Sequence, residues 1–186
     1  ADGKTAFVAD RLSGLQIIDV SNPASPSLTG TYNTSGYAND VTLSADGNTA
    51  FVADQSSGLQ IIDVSNPANP SLTGSYNTPD MALGVTLSAD GNTAFVADRR
   101  EGLQIIDVSN PARPSLTGTI NTSDDAYDVT LSADGNTAFV ADRDSGLQII
   151  DVSNPASPSL TGTLNTTGLA MSVTLSADGK TAFVAD

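Results

Sequence analysis

The residue types that most often do chemistry are sparse in this 186-residue sequence, and two of them are missing. There is no His and no Cys, so the usual general base near neutral pH, the thiolate nucleophile and any disulfide are excluded. Ser and Asp abound, but Gly-x-Ser-x-Gly does not occur, and a Ser nucleophile has no imidazole partner. Asp124 with Asp125, or Asp142 with Asp144, could be read as paired carboxylates for hydrolysis, yet adjacent acids in loops are more simply solvated charges. Two sets of carboxylates recur at fixed spacing, Asp10/Asp54/Asp98/Asp142 and Asp19/Asp63/Asp107/Asp151. Calcium needs six to eight oxygens and no Asp-x-Asp-x-Asp run supplies them, so each Asp is expected to cap the turn that follows its strand. No catalytic residue, metal site or cofactor is expected, and the chain is read as a non-enzyme.

What remains is recognition chemistry, concentrated in a few loops. Thr-Ala-Phe-Val-Ala-Asp begins at Thr5, Thr49, Thr93, Thr137 and again at Thr181, so a 44-residue unit is written four times, with a partial fifth from 181. Of its columns, 32 are the same in all four copies, which makes the 12 that vary informative. Ten of these fall around two loops: three after Thr-Ala-Phe-Val-Ala-Asp, five in the loop that follows the Leu-Thr-Gly strand, and two (Thr31-Tyr32 and their counterparts) at the end of that strand just before the loop. Candidate contacts there are Arg11, Tyr37, Asn39, Asp40, Arg99, Arg100, Glu101, Tyr127, Asp128 and Arg143. Loops on a rigid scaffold are where binding usually resides, although solvent loops also drift because they tolerate change.

The elements that must position these loops are short. In the first copy, Ala6–Ala9, Leu15–Val20, Leu28–Asn33 and Ala38–Leu43 are strand candidates rich in β-branched and apolar residues. They are divided by Ser21-Asn22-Pro23-Ala24-Ser25-Pro26, whose prolines exclude a central strand or helix, and by the hairpin signal Asp46-Gly47. No window has helical spacing. Four strands per 44 residues predicts an all-β fold, a β-propeller built from four-stranded blades with four repeats per chain, forming one domain over 1–186. With strands lettered A to D from the axis outward, both variable loops (B–C and D–A) leave on the same face.

Leu15-Gln16-Ile17-Ile18-Asp19 followed by Val20-Ser21-Asn22-Pro23 resembles the LVIVD repeat of bacterial and archaeal surface proteins, with Gln16 where an aliphatic residue is usual. Ser44 to Asp54 is similar to the related YVTN-type repeat. The resemblance covers the whole chain and implies a propeller in a prokaryotic cell-surface or extracellular setting. It implies no shared enzymatic activity.

The chain starts within a repeat and without Met, and is read as a piece of a longer or processed protein. It begins and ends on a B strand, 17 strands in all, so the last A strand and the first C and D strands could share one blade while Ala6–Ala9 and Ala182–Ala185 compete for its B position. A four-bladed ring of one chain, an eight-bladed ring of two, and a fibre joined by strand addition are all compatible with this. Seven basic residues against 21 acidic give a net charge of −14, which repels phosphate backbones and anionic lipid, and no apolar run reaches membrane-span length. The expected function is a surface or secreted recognition or scaffold module that binds a protein or glycan through the variable rim. The alternative is a structural repeat that self-associates into rings, fibres or layers by strand exchange. Units this uniform are also what consensus engineering produces.

Overall fold

The computed structural model describes residues 3–186, which hold 17 strands and no helix. The first sheet comprises β1 (Thr5–Ala9), β2 (Leu15–Asp19) and β3 (Ser27–Tyr32). The second holds β4 (Asp40–Leu43), β5 (Thr49–Ala53), β6 (Leu59–Asp63) and β7 (Ser71–Tyr76). The third holds β8 (Gly84–Leu87), β9 (Thr93–Ala97), β10 (Leu103–Asp107) and β11 (Ser115–Ile120). The fourth holds β12 (Asp128–Leu131), β13 (Thr137–Ala141), β14 (Leu147–Asp151) and β15 (Ser159–Leu164). β16 (Ser172–Leu175) and β17 (Ala182–Ala185) form a two-stranded fifth. Every pairing is antiparallel between consecutive strands, and neighbouring sheets meet along their innermost strands β4, β8, β12 and β16. The result is a propeller-like row of sheets, as the repeat length predicts.

The second and third sheets bury both faces, which is why their middle strands read as unbroken apolar runs. In the second sheet Phe51, Leu59 and Ile61 point forward into a core with Val85, Ala94, Val96, Ile106 and Val108 of the third. Ala50, Val52, Ile62 and Val64 point back against Leu15 and Ile17 of the first. Each such side chain contributes about 1.5–3 kcal/mol when fully buried. The third and fourth sheets repeat the arrangement, with Phe95, Leu103 and Ile105 facing Ala138, Val140, Ile150 and Val152.

Two local devices set the close approach of sheets. The outer strand carries a bulge, because the register passes from Ile61↔Gly74 to Ile62↔Leu72. That bulge brings a glycine against the Asn-Pro turn of the next sheet: a Cβ on Gly74 would lie 2.2 Å from the Pro111 carbonyl oxygen, and one on Gly30 would lie 2.1 Å from that of Pro67. The inner hairpins are held by side chains, with Ser44 Oγ accepting from Thr49 N at 3.0 Å and Asp46 Oδ1 accepting from Asn48 N at 3.0 Å.

Of the three closures the sequence leaves open, the ring of one chain is not the one formed: β1 pairs with β2 alone and β16 with β17 alone. β17 follows β16 by a short hairpin, whereas β1 is at the far end of the chain, so loop-closure entropy favours the local partner of identical sequence.

Candidate functional site

The face that carries the variable loops is built on a constant framework. After each B strand the chain turns tightly: Asp54 N donates to Gly58 O at 2.8 Å and Ser57 N to Asp54 O at 2.9 Å. The residue after the Asp is held in the left-handed region, at φ 42° for Arg11, 41° for Gln55, 44° for Arg99 and 42° for Arg143. This conformation costs an L-residue with a Cβ roughly 1–2 kcal/mol, and glycine would relieve it. Each of these residues also pairs through its backbone with an alanine of the next variable loop (Arg11 with Ala38, Gln55 with Ala82, Arg99 with Ala126, Arg143 with Ala170). The two variable loops are thereby stitched into one surface.

The recurrent aspartates divide into two roles. Asp19, Asp63, Asp107 and Asp151 cap the following turn as expected, each accepting from a Ser backbone N at 2.9 Å. These hydrogen bonds hold the four carboxyls below their ordinary pKa. Asp54, Asp98 and Asp142 do something else, and the expectation that they cap their own turns is corrected. They are fully buried and reach back across the sheet interface to the preceding D–A loop. Asp54 accepts from Thr34 Oγ1 at 2.6 Å and from Gly36 N at 2.8 Å. Asp98 accepts from Asp80 N, and Asp142 from Asp124 N, both at 3.1 Å. Burial pushes all three pKa values up, and Asp98 and Asp142 each retain one buried oxygen without a partner.

The candidate contact residues fall into two groups on this framework. Asn39, Asp40, Tyr127 and Asp128 line a cavity of about 260 Å³ at the inner ends of the A strands, together with Leu83, Met171 and Ser172. Asp40 Oδ2 accepts from Val85 N at 2.9 Å, and Asp128 Oδ2 from Val173 N at 3.0 Å and Ser172 Oγ at 2.7 Å, so each carboxylate spans to the next inner strand. Burial, with a smaller contribution from the Asp128 charge, pushes Asp40 up.

The second group is an ion-pair cluster around Asp125, which the sequence offered only as one of two adjacent, solvated loop acids and which the fold instead buries. Arg99 Nε lies 3.1 Å and Arg143 Nη1 3.4 Å from Asp125 Oδ2, and Arg100 Nε lies 3.8 Å from Oδ1. Tyr37 and Arg11 are exposed on the same surface, and Glu101 is half-buried beside Asp98. Asp125 stands where the other copies have Tyr37, Met81 and Leu169, so its change of type was visible, but three arginines converging on it was not. Among the described residues no group of three or more His, Cys, Asp or Glu could hold a metal ion.

The paired sheets, repeat length and loop placement define a β-propeller-like repeat protein. The LVIVD repeat is matched four times, at residues 1–34, 35–78, 84–122 and 125–166, and the chain belongs to the LVIVD-repeat family. No curated protein matches the sequence. Among solved structures, a protein of unknown function from Desulfotomaculum acetoxidans is similar at 19% identity and TM-score 0.72, over 98% of this chain and 62% of that one. A putative 6-phosphogluconolactonase from Bacteroides uniformis is similar at 15% identity and TM-score 0.83, over 99% of this chain and 61% of that one. Hydrazine synthase from Kuenenia stuttgartiensis aligns at 22% identity and TM-score 0.68, over 79% of this chain and 41% of that one. The chain therefore spans less than two thirds of each of these proteins, and the likeness is one of fold.

Proposed function

We propose that the chain is a non-enzymatic recognition module, secreted or displayed at a prokaryotic cell surface, which binds a protein or glycan through the face of variable loops. The observation that carries this reading is that Arg11, Gln55, Arg99 and Arg143, residues of the variable loops, stand at left-handed backbone positions. Glycine would be less strained at these positions, and backbone strain of this kind clusters at binding sites. The constant interface aspartates and the paired alanines beneath fix the loops, so little ordering entropy is lost on binding. The candidate contacts are Arg11, Tyr37 and Arg100 on the rim and Asn39, Asp40, Tyr127 and Asp128 in the cavity. Arg99, Arg143 and Glu101 shape the rim from beneath.

The reading is tested by probing a glycan array and immobilised cell-envelope protein fractions with the wild-type chain, Arg100→Glu, Tyr127→Ala and Asn66→Ala. Arg100 has an exposed side chain, and Asn66 lies in an Asn-Pro turn on the invariant side. Binding that Arg100→Glu or Tyr127→Ala abolishes and Asn66→Ala leaves intact supports the proposal. Absence of binding, or equal loss in all three variants, refutes it.

A further inference from the structure

A second cavity, of about 220 Å³, opens on the loop face between the third and fourth units, apart from the one at the inner strands. It is lined by Ser123 of the D–A loop, Asp144 and Ser145 of the B–C loop, Gln148 of β14, Thr163 of β15 and Asn165 just beyond that strand. Each of these side chains ends in a hydroxyl, an amide or a carboxylate. Gln148 is only 2% exposed; its Nε2 donates to Ser145 O at 3.0 Å, and its Oε1 is buried without a partner. An amide oxygen left so is unfavourable, and a donor brought into the cavity relieves it. The side chains of Ser123, Ser145, Thr163 and Asn165 make no hydrogen bond among the described residues. The same place in the third unit is closed differently. Pro79, Arg100 and Glu101 stand where the fourth unit has Ser123, Asp144 and Ser145. There Gln104 Nε2 donates both to Glu101 O at 2.9 Å and to Thr119 Oγ1 at 3.0 Å. The unspent polar groups of the fourth unit therefore follow from substitutions in the variable loops.

We infer that this cavity is a subsite for one neutral hexose ring of a glycan, held by hydrogen bonds. The inference rests on the reading of the loop face as a recognition surface and narrows the ligand at this place to a sugar. A hexose carries a ring of hydroxyls, each able to donate once and accept twice, and the lining matches them in kind. Ser123, Ser145 and Thr163 donate and accept, Asn165 does both through its amide, and Gln148 Oε1 and the Asp144 carboxylate accept. Ser and Asn side chains give the adaptable hydrogen bonding found in binding loops. Size agrees: at about 30 Å³ for each water of the liquid, the cavity holds roughly seven waters, about the bulk of one hexose. An apolar peptide side chain would meet no apolar wall and would leave the buried amide unsatisfied. An acidic sugar is disfavoured by Asp144 in the lining and by the net charge of −14. With no aromatic ring to stack on, the affinity for a single ring is expected at ~1 mM or weaker.

The test is a titration of the isotope-labelled full chain with the methyl α-glycosides of glucose, mannose and galactose, read from backbone amide shifts by NMR. At least one should give a saturable shift centred on Ser123, Ser145, Gln148 and Asn165. Gln148→Leu removes the buried amide, and Thr163→Val removes a hydroxyl at nearly constant shape from an exposed strand position. Each should weaken binding about tenfold, with circular dichroism as the check on folding. Thr163→Val carries the test if Gln148→Leu does not fold. Thr119→Val, the same change one repeat earlier, should leave binding unchanged. No saturable shift with any of the three sugars, shifts centred on Asn39, Asp40, Tyr127 and Asp128 instead, or binding that folded Thr163→Val retains in full would overturn the inference. Glycan-array binding that survives in both cavity variants but is lost in Arg100→Glu or Tyr127→Ala would overturn this inference alone and leave the recognition face standing.

Discussion

The sequence supplies its own control for the energy of the interface aspartates, because Asp10 and Asp54 occupy the same position in the repeat and differ in what lies opposite. Asp54 is buried and holds Thr34 Oγ1 and Gly36 N, whereas Asp10 is exposed on the first sheet. Asp54→Ala leaves two donors without an acceptor, at about 1–3 kcal/mol for each buried unsatisfied group. Removing the carboxylate also relieves its own desolvation, which burial registers as a raised pKa, so the net cost should be about 2–4 kcal/mol. For a chain of this size that corresponds to a fall in Tm of roughly 5–15 °C. Asp10→Ala should cost no more than about 0.5 kcal/mol. The comparison is made by thermal melts followed with circular dichroism. Hydrogen exchange at Gly36 N adds a local readout, since loss of protection should be confined to the loop that Asp54 holds. Equal melting of the two variants would refute the assignment of these aspartates as links between sheets.

Further expectations concern other parts of the framework. Asp98 and Asp142 have raised pKa values in the fold, so their contribution to stability is fully present below the unfolded value of 3.8 and is lost as pH climbs through the folded values. Asp98→Asn with Asp142→Asn should therefore remove part of the decline in stability as pH rises above 3.8, as read by urea melts over a pH series. Gly118→Ala places a Cβ 2.2 Å from the Pro155 carbonyl oxygen and should lower Tm sharply, while Gly162→Ala, whose Cβ meets only Ile149 at 3.8 Å, should leave Tm unchanged. Gly91 has φ 72° and open space, so Gly91→Ala should cost only the left-handed penalty of about 1–2 kcal/mol. Gly102→Ala adds a clash 2.4 Å from the Ile120 carbonyl oxygen and should cost distinctly more in the same melts. Arg100→Glu should lower Tm by no more than about 4 °C, because exposed ion pairs contribute ~0–1 kcal/mol, whereas Arg99→Glu brings a second carboxylate directly against buried Asp125 and should destabilise more.

Much of this molecule is local, and local features are what a sequence determines. The 44-residue period, the Asp-Gly hairpins and the paired prolines fix strand number and turn positions, because each depends on residues a few places apart. The turn-capping role of Asp19 and its repeats follows for the same reason. The identity of the loops that differ was also determined by sequence, since four aligned copies expose their own variation. Contacts between sheets were not legible. Nothing within one repeat distinguishes Asp54, buried against a loop 20 residues earlier, from a turn cap, and nothing in spacing brings Arg99, Arg100 and Arg143 to the single carboxylate of Asp125. The fate of the ends is the clearest case. Ala6–Ala9 and Ala182–Ala185 are the same four residues, so sequence alone cannot assign the place beside β16, and the tertiary structure gives it to the strand with the shorter loop to close.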